Sequence, residues 1–405
     1  METRNCQNCK SDFTILSEDF EFYEKIKVPP PTFCTECRTI RRLTWRNELS
    51  LFKRKCNAKE HGEMMISFYP TEEELNTYDV NEWWKDSWDP MDYGLEYDFN
   101  LSFFSQWREL YKKVPLQGMS NSKATNSDYC NVAEESRDSY MCSGCWRIDR
   151  VLYSNRISET SDSSDLYISL KNELCYEDIN CRDSYKLLYS IDCKNCVDSY
   201  FLFDCHACTD CFGCTNLRNK SYCFFNKQLS REEYFENLKQ INLGSHEVIK
   251  EIKNKFSSMI INSLHRFANT TNTVASTGDN LEQTKNCINC FDTAGNVENC
   301  KNVHWSLRMK EGYDCGPGVG EAELLYDCFD TGIGNFRNLF TSVVYSANNV
   351  EYSFNCYGSS NLFGCIGLRS KNYCVLNRQY SKEEYFELIE KIKKQMGEIP
   401  YIDKI

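Results

Sequence analysis

A stretch of 25 residues occurs twice in this chain: FGCTNLRNKSYCFFNKQLSREEYFE at 212–236 returns as FGCIGLRSKNYCVLNRQYSKEEYFE at 363–387, with 16 identities at a constant offset of 151. A chain that tolerates such a duplication is modular, and repeats of this kind favour stacked thin layers over one thick core. The duplication also tests what the 25 cysteines are for. At the same offset Cys205, Cys214 and Cys223 keep cysteine counterparts in Cys356, Cys365 and Cys374. Cys193, Cys196, Cys208 and Cys211 instead face Val344, Ala347, Ser359 and Leu362. A ligating thiolate cannot become valine, alanine or leucine without loss of the site, whereas a buried thiol behaving as a small hydrophobe can. Most of the sulfur is therefore expected to be interior filler.

From residue 119 the texture is one of short strands punctuated by Asn, Asp and Ser. Asp-Ser-Tyr occurs at Asp138–Tyr140, Asp183–Tyr185 and Asp198–Tyr200, the last two 15 residues apart. Alternation such as Tyr200-Phe201-Leu202-Phe203 has the period of a strand. A strand-turn unit of roughly 10 to 15 residues predicts a parallel β-helix or related solenoid. Its narrow interior suits cysteine, serine and alanine but not tyrosine, and its corners suit asparagine, which tolerates the left-handed conformation. Both copies close on a capping box, Ser230 with Glu233 and Ser381 with Glu384, followed by an apolar stripe. The resulting helices are expected to cover the open end of each stack.

The first 60 residues carry a different signal. Cys6-x2-Cys9 and Cys34-x2-Cys37 offer two pairs of thiolates to one tetrahedral ion, which the spacing assigns as Zn2+. Protein fills all four positions, so the site is structural, and Pro29, Pro30 and Pro31 stiffen the approach to the second pair. Arg38, Arg42 and Arg46 follow at i+4 intervals with Arg41 beside them, an arrangement that on a helix makes a basic ridge able to contact nucleic acid. Residues 38–59 hold eight Lys or Arg against Glu48 alone, while 60–110 hold thirteen acids against Lys85 and Arg108, so neutralisation between neighbours competes with that reading. Cys56 and His61 read as structural, and the many large rings between Trp83 and Trp107 read as a packed cap on an adjoining domain.

The expected fold class is mainly β: a zinc ribbon with its basic segment (1–60), an acidic aromatic-rich helical domain (61–118), a Cys/Asn-rich β-solenoid module (119–229), capping helices and linker (230–275), a second solenoid module (276–380) and a C-terminal capping helix (381–405). The run Cys205-x2-Cys208-x2-Cys211-x2-Cys214 resembles an iron-sulfur motif but departs from it in its last spacing and its missing proline. Cys142-x2-Cys145 and Cys287-x2-Cys290 could supply further zinc pairs. The opening residues lack an apolar core and no stretch reaches membrane-spanning length, which reads as a cytoplasmic chain without membrane insertion, in a compartment that keeps thiols reduced.

No catalytic set is duplicated, since Asp204 and His206 face Asn355 and Tyr357. The composition thus favours a zinc-binding structural or interaction protein with a protein partner. A nucleic-acid or ribosome-associated factor working through Arg38, Arg41, Arg42 and Arg46 is the alternative, and an enzyme acting on carbohydrate or acyl groups along the solenoid is a third reading. VPPPTFCTECRTIRRLTWRNE, WWKDSWDPMDYG and the duplicated FGC-x2-LR-x-K-x-YC-x2-N-x-Q block together resemble an uncharacterised zinc-ribbon plus Cys-rich repeat family of uncultured small-genome bacteria. That resemblance implies no activity. Members sometimes carry a CaiB/BaiF acyl-CoA transferase label, but the alternation of long helix and strand that such a fold needs is missing here.

Overall fold

Two residues of every three in the first module are extended, and the third is left-handed. Positive φ recurs at every third position from Val132, Glu135 and Asp138 through to Phe225. This regularity, in a computed structural model that describes residues 1–45, 47–59, 61–307, 309–316, 322–328 and 334–398, defines the fold. Each left-handed residue turns a corner, and four corners close a coil, so that parallel partners such as Asn155 and Tyr167, or Tyr200 and Phe212, are 12 residues apart. The unit is a triplet of corner, inward and outward residue. Asp-Ser-Tyr is one such triplet: Asp138, Asp183 and Asp198 have φ of 48°, 52° and 46°, and Ser139, Ser184 and Ser199 are buried. The expected unit of 10 to 15 residues thus resolves to 12, and the 15-residue spacing of the motif is one coil plus one side. A left-handed conformation costs roughly 1–2 kcal/mol for most residues, least for Asn and Asp, which explains their density at the corners.

The solenoid has about 20 turns in all. Its inward positions carry a polar ladder that explains the choice of residue. Ser139 Oγ donates to the Arg137 carbonyl at 2.8 Å and accepts the Val151 amide of the next coil at 3.1 Å. Ser190 repeats the pattern with Leu188 and Leu202 at 3.0 Å each. Thiols satisfy carbonyls from the same positions: Cys196 Sγ lies 3.5 Å from the Lys194 oxygen and 3.3 Å from that of Cys205. A corner leaves main-chain groups facing inward, where each unpaired group would cost about 1–3 kcal/mol, and a short side chain with a hydroxyl or thiol meets them without filling the bore. Val344, Ala347, Ser359 and Leu362 occupy inward positions of the second module and are all buried, as the duplication implies.

The second module runs from Thr270 and includes 13-residue steps, such as Phe291 to His304 and Ala322 to Asn335, before returning to 12 from Phe336 to Asn348 onward. Each module ends on an antiparallel pairing, Cys223 with Gln228 and Cys374 with Gln379, which closes the last strand edge.

Seven helices are described. They are α1 (Ser17–Ile26), α2 (Thr35–Leu43), α3 (Val80–Trp83), α4 (Phe103–Lys113), α5 (Arg231–Lys239), α6 (His246–Ile261) and α7 (Lys382–Glu398). Ser230 and Glu233 form the capping box of α5, and Ser381 accepts the Glu384 amide while Glu384 accepts the Ser381 amide at the start of α7. These helices do more than cover an end. Tyr234 of α5 and Ile249 and Phe256 of α6 pack with Phe201, Phe203 and Phe212 on one lateral side of the first module.

The aromatic segment before the first module packs on the second one. Phe103 meets Phe363 edge-on at 5.1 Å, and the Leu95 amide donates to the Leu376 carbonyl at 2.9 Å. Gly94 is required there, because a Cβ would lie 2.5 Å from the Asn377 carbonyl oxygen. The two modules touch through Arg182 and Glu282 at 2.7 Å and through Asn180 and Asn280 at 3.1 Å.

Candidate metal centre

The first cysteine pair lies in the turn of a hairpin formed by Glu2–Asn5 and Asp12–Ile15. The Cys6 amide donates to the Ser11 carbonyl, and Lys10 takes a φ of 64° to complete the turn. The second pair comes from the start of a helix, with Cys34 at the N-cap of α2 and Cys37 in its first turn. That position places the thiolates against the positive end of the helix dipole. The ligand atoms of Cys6, Cys9, Cys34 and Cys37 all lie within 4.8 Å of one another, and Cys9 Sγ is 3.8 Å from Cys34 Sγ. A tetrahedron with metal-sulfur bonds of ~2.3 Å has edges of about 3.8 Å, so the four sulfurs fit a single ion.

Hydrogen bonds prepare the sulfurs for that charge. The Cys34 amide donates to Cys6 Sγ at 3.2 Å, and Asn8 Nδ2 to Cys37 Sγ at 3.4 Å. Burial opposes ionisation of Cys6, but the amides of Cys34, Cys9 and Asn8 outweigh it and bring the thiol down to about 6. Cys9 is lowered by the amide and hydroxyl of Ser11. Cys34 moves the other way, pushed up to about 12 by burial, as are Cys175 and Cys356 in the solenoid, where burial raises Cys315 and Cys365 as well. Where thiols stack, the direction follows their mutual hydrogen bonds: Cys196, Cys205 and Cys211 lower Cys208, and Cys290 and Cys300 lower Cys287. Among the described residues, only the amino-terminal four gather as a possible ligand set this closely.

The arginines after Cys37 do not form the exposed ridge that their spacing predicts. Arg38 and Arg42 are buried, each 4% exposed. Arg38 Nε donates to Asp314 Oδ2 at 2.6 Å, and Arg42 Nη1 to Asp327 Oδ1 at 3.0 Å, while Arg41 pairs with the same Asp327. Asp314 and Asp327 are corner residues of the second solenoid with φ of 58° and 50°. The basic helix thus faces acids nearly 300 residues away, which local charge counting could not find. Arg46 lies outside the described residues. Trp45 stacks edge-on against Trp107 at 5.8 Å and so adds to the aromatic cap. Helix α1 continues the same attachment: Asp19 takes Lys301 at 2.8 Å, Phe22 stacks on Tyr313 at 3.8 Å, and Tyr23 meets Tyr326 at 5.2 Å.

Two other sequence candidates are placed by the fold. Cys56 Sγ accepts the amides of Ala58 and Asp79 at 3.5 and 3.2 Å, a structural role. Asp204 and His206 come together at 3.4 Å in an open cleft between the modules, but Arg218 at 2.8 Å and Arg266 at 3.3 Å also hold that carboxylate. A carboxylate held by two arginines and by the Asn216 amide at 3.1 Å is a structural junction.

No family model matches the chain, and no curated protein matches it by sequence. Among solved structures, the chain aligns at 9% identity and a TM-score of 0.13 with a protein from Desulfovibrio desulfuricans G20 provisionally assigned as an acetyltransferase, over 68% of this chain and 80% of that one. UDP-N-acetylglucosamine acyltransferase from Campylobacter jejuni aligns at 8% identity and a TM-score of 0.09, over 69% and 88%. Overlaps this slight carry no argument about activity. No described helix is long and apolar enough to cross a membrane.

Proposed function

We propose that this protein is a zinc-containing interaction scaffold, in which a closed four-cysteine zinc site locks the amino-terminal domain onto the second solenoid. The observation that carries the reading is continuity: Cys37 is in the first turn of α2, and Arg38, Arg41 and Arg42 of that same helix reach Asp314 and Asp327. An ion at the four sulfurs fixes where α2 begins, and α2 then delivers its guanidinium groups to the solenoid corners. Zinc suits four thiolates at these distances, and protein fills every position, so the ion supplies folding energy. The scaffold itself presents a long lateral surface to a protein partner.

The test is hydrogen exchange on the native chain before and after chelation. Amides of residues 1–43 and of the coils around Asp314 and Asp327 are expected to lose protection together when metal is stripped or when Cys34 is changed to Ser, while the first module stays protected. Unchanged protection at the docked coils would overturn the reading.

A further inference from the structure

One lateral side of each solenoid is aromatic, and the duplication aligns these sides coil by coil. Counting back from Phe212 and Phe363, Phe201 corresponds to Tyr352, Tyr189 to Phe340, Tyr176–Glu177 to Tyr326–Asp327, and Ser164–Asp165 to Tyr313–Asp314. In the second module helices of this chain cover that side through its last coils. Helices α1 and α2 supply Phe22, Tyr23, Arg38 and Arg42 to Tyr313, Tyr326, Asp314 and Asp327, and α4 supplies Phe103 to Tyr352 and Phe363. In the first module α5 and α6 cover the later coils, where Phe256 meets Phe201 and Lys253 pairs with Glu177. Among the described residues, no helix covers the earlier coils of the same side. Tyr129, Tyr140, Met141, Leu152 and Tyr153 there are 36%, 41%, 37%, 40% and 57% exposed, and the three tyrosines stack edge to face along the axis.

We propose that this uncovered aromatic side, from Tyr129 to Asp165, docks an amphipathic helix of a partner protein. Continuity with the α6 interface and the covered equivalent in the second module both identify a helix as the occupant. The chemistry of α1 and α2 specifies its sequence: aromatic or aliphatic residues on one stripe to lie over Tyr140, Leu152 and Tyr153, and an Arg or Lys at its edge to reach Asp165. Recognition of this kind uses anchors at i, i+3, i+4 and i+7 set into a hydrophobic groove. The inference names the partner class of the scaffold reading and rests on it.

A phage-displayed library of helical 16-residue peptides panned against the full metal-loaded chain tests it. Peptides with an apolar stripe flanked by Arg or Lys are expected to enrich. Their affinity, measured by fluorescence anisotropy, should fall at least tenfold for the pair Tyr140→Ser and Tyr153→Ser and again for Asp165→Arg, with no change for Arg137→Ser, whose side chain is paired with Asp149. Binding should survive chelation, so a failed metal reading shows only in the exchange experiment above. No enrichment, or peptides whose binding ignores the Tyr140, Tyr153 and Asp165 variants, would overturn the proposal. So would concentration-dependent dimerisation abolished by the same variants, because the side would then belong to a second copy of this chain.

Discussion

The two solenoid modules share a backbone plan and differ in what fills it. Cys193, Cys196, Cys208 and Cys211 line the first bore, and Val344, Ala347, Ser359 and Leu362 line the second at the same places, all of them buried. The exchange shows that an inward position accepts a small or an aliphatic side chain and is indifferent to sulfur. What both modules need is a partner for main-chain groups turned inward at the corners. Asn335 and Asn338 meet that need in the second module by accepting the Ala347 and Val350 amides at 3.1 and 3.2 Å, as Asn172 does for Ser184 at 3.1 Å in the first. The modules also differ in cover, since the second is wrapped by helices from both ends of the chain, whereas the helices on the first are the two that follow it and the amino-terminal segment touches it through Asn47 and Glu48.

The largest effect expected within the chain is at the wrapped module. Arg42→Ala leaves Asp327 with only the part-exposed Arg41 and should cost about 3–5 kcal/mol at that interface, the range for breaking a buried pair. The loss should register as faster exchange in α2 and its docked coils, with the first module unaffected. An equal loss in both modules would dissolve the contrast between them.

A smaller effect of opposite sign is expected at Asp178, which is fully buried in the cysteine-lined bore. Its Oδ1 accepts the Ser190 amide at 2.8 Å, the Cys175 thiol is its only side-chain partner among the described residues, and burial raises its pKa well above the usual carboxylate range. A carboxyl with a raised folded pKa contributes stability below its unfolded pKa of ~3.9 and loses it as pH rises toward the folded value. Asp178→Asn should therefore gain about 1–3 kcal/mol at neutral pH in denaturant titration, with little gain near pH 4. Asn172 shows that an amide fits such a rung. A destabilised variant at pH 7 would mean that the carboxylate is used.

The smallest effect is the transplant of a second-module residue into the first. Cys208→Ser, which copies Ser359 and keeps a hydrogen-bonding group at the position, should change stability by ~1 kcal/mol or less in the same titration.

Much of this fold was legible because duplication and corner chemistry are local. The solenoid, its capped helices and the four amino-terminal cysteines follow from spacing alone. The triplet period was also present, in the corners Asp138, Asp183 and Asp198, but a search for alternation at period two looks past a period of three. The attachment of the amino-terminal domain was not legible. Arg38 and Arg42 read as a ridge because their partners, Asp314 and Asp327, stand in a repeat copy far along the chain, and i+4 spacing says nothing of which surface a helix meets. Helix α6 likewise reads as an end cap from its position in sequence, yet Phe256 lies over Phe201 on a lateral side.

Cys205, Cys208, Cys211 and Cys214 form the densest run of buried solenoid sulfurs, so extra metal would be sought there first. Metal stoichiometry of the full chain by native mass spectrometry, with Cys208→Ser alongside, addresses this directly. One zinc per chain, retained in Cys208→Ser and lost in Cys34→Ser, is the predicted result. Two or more ions, with one lost on changing Cys208, would contradict the assignment of the solenoid sulfurs to packing.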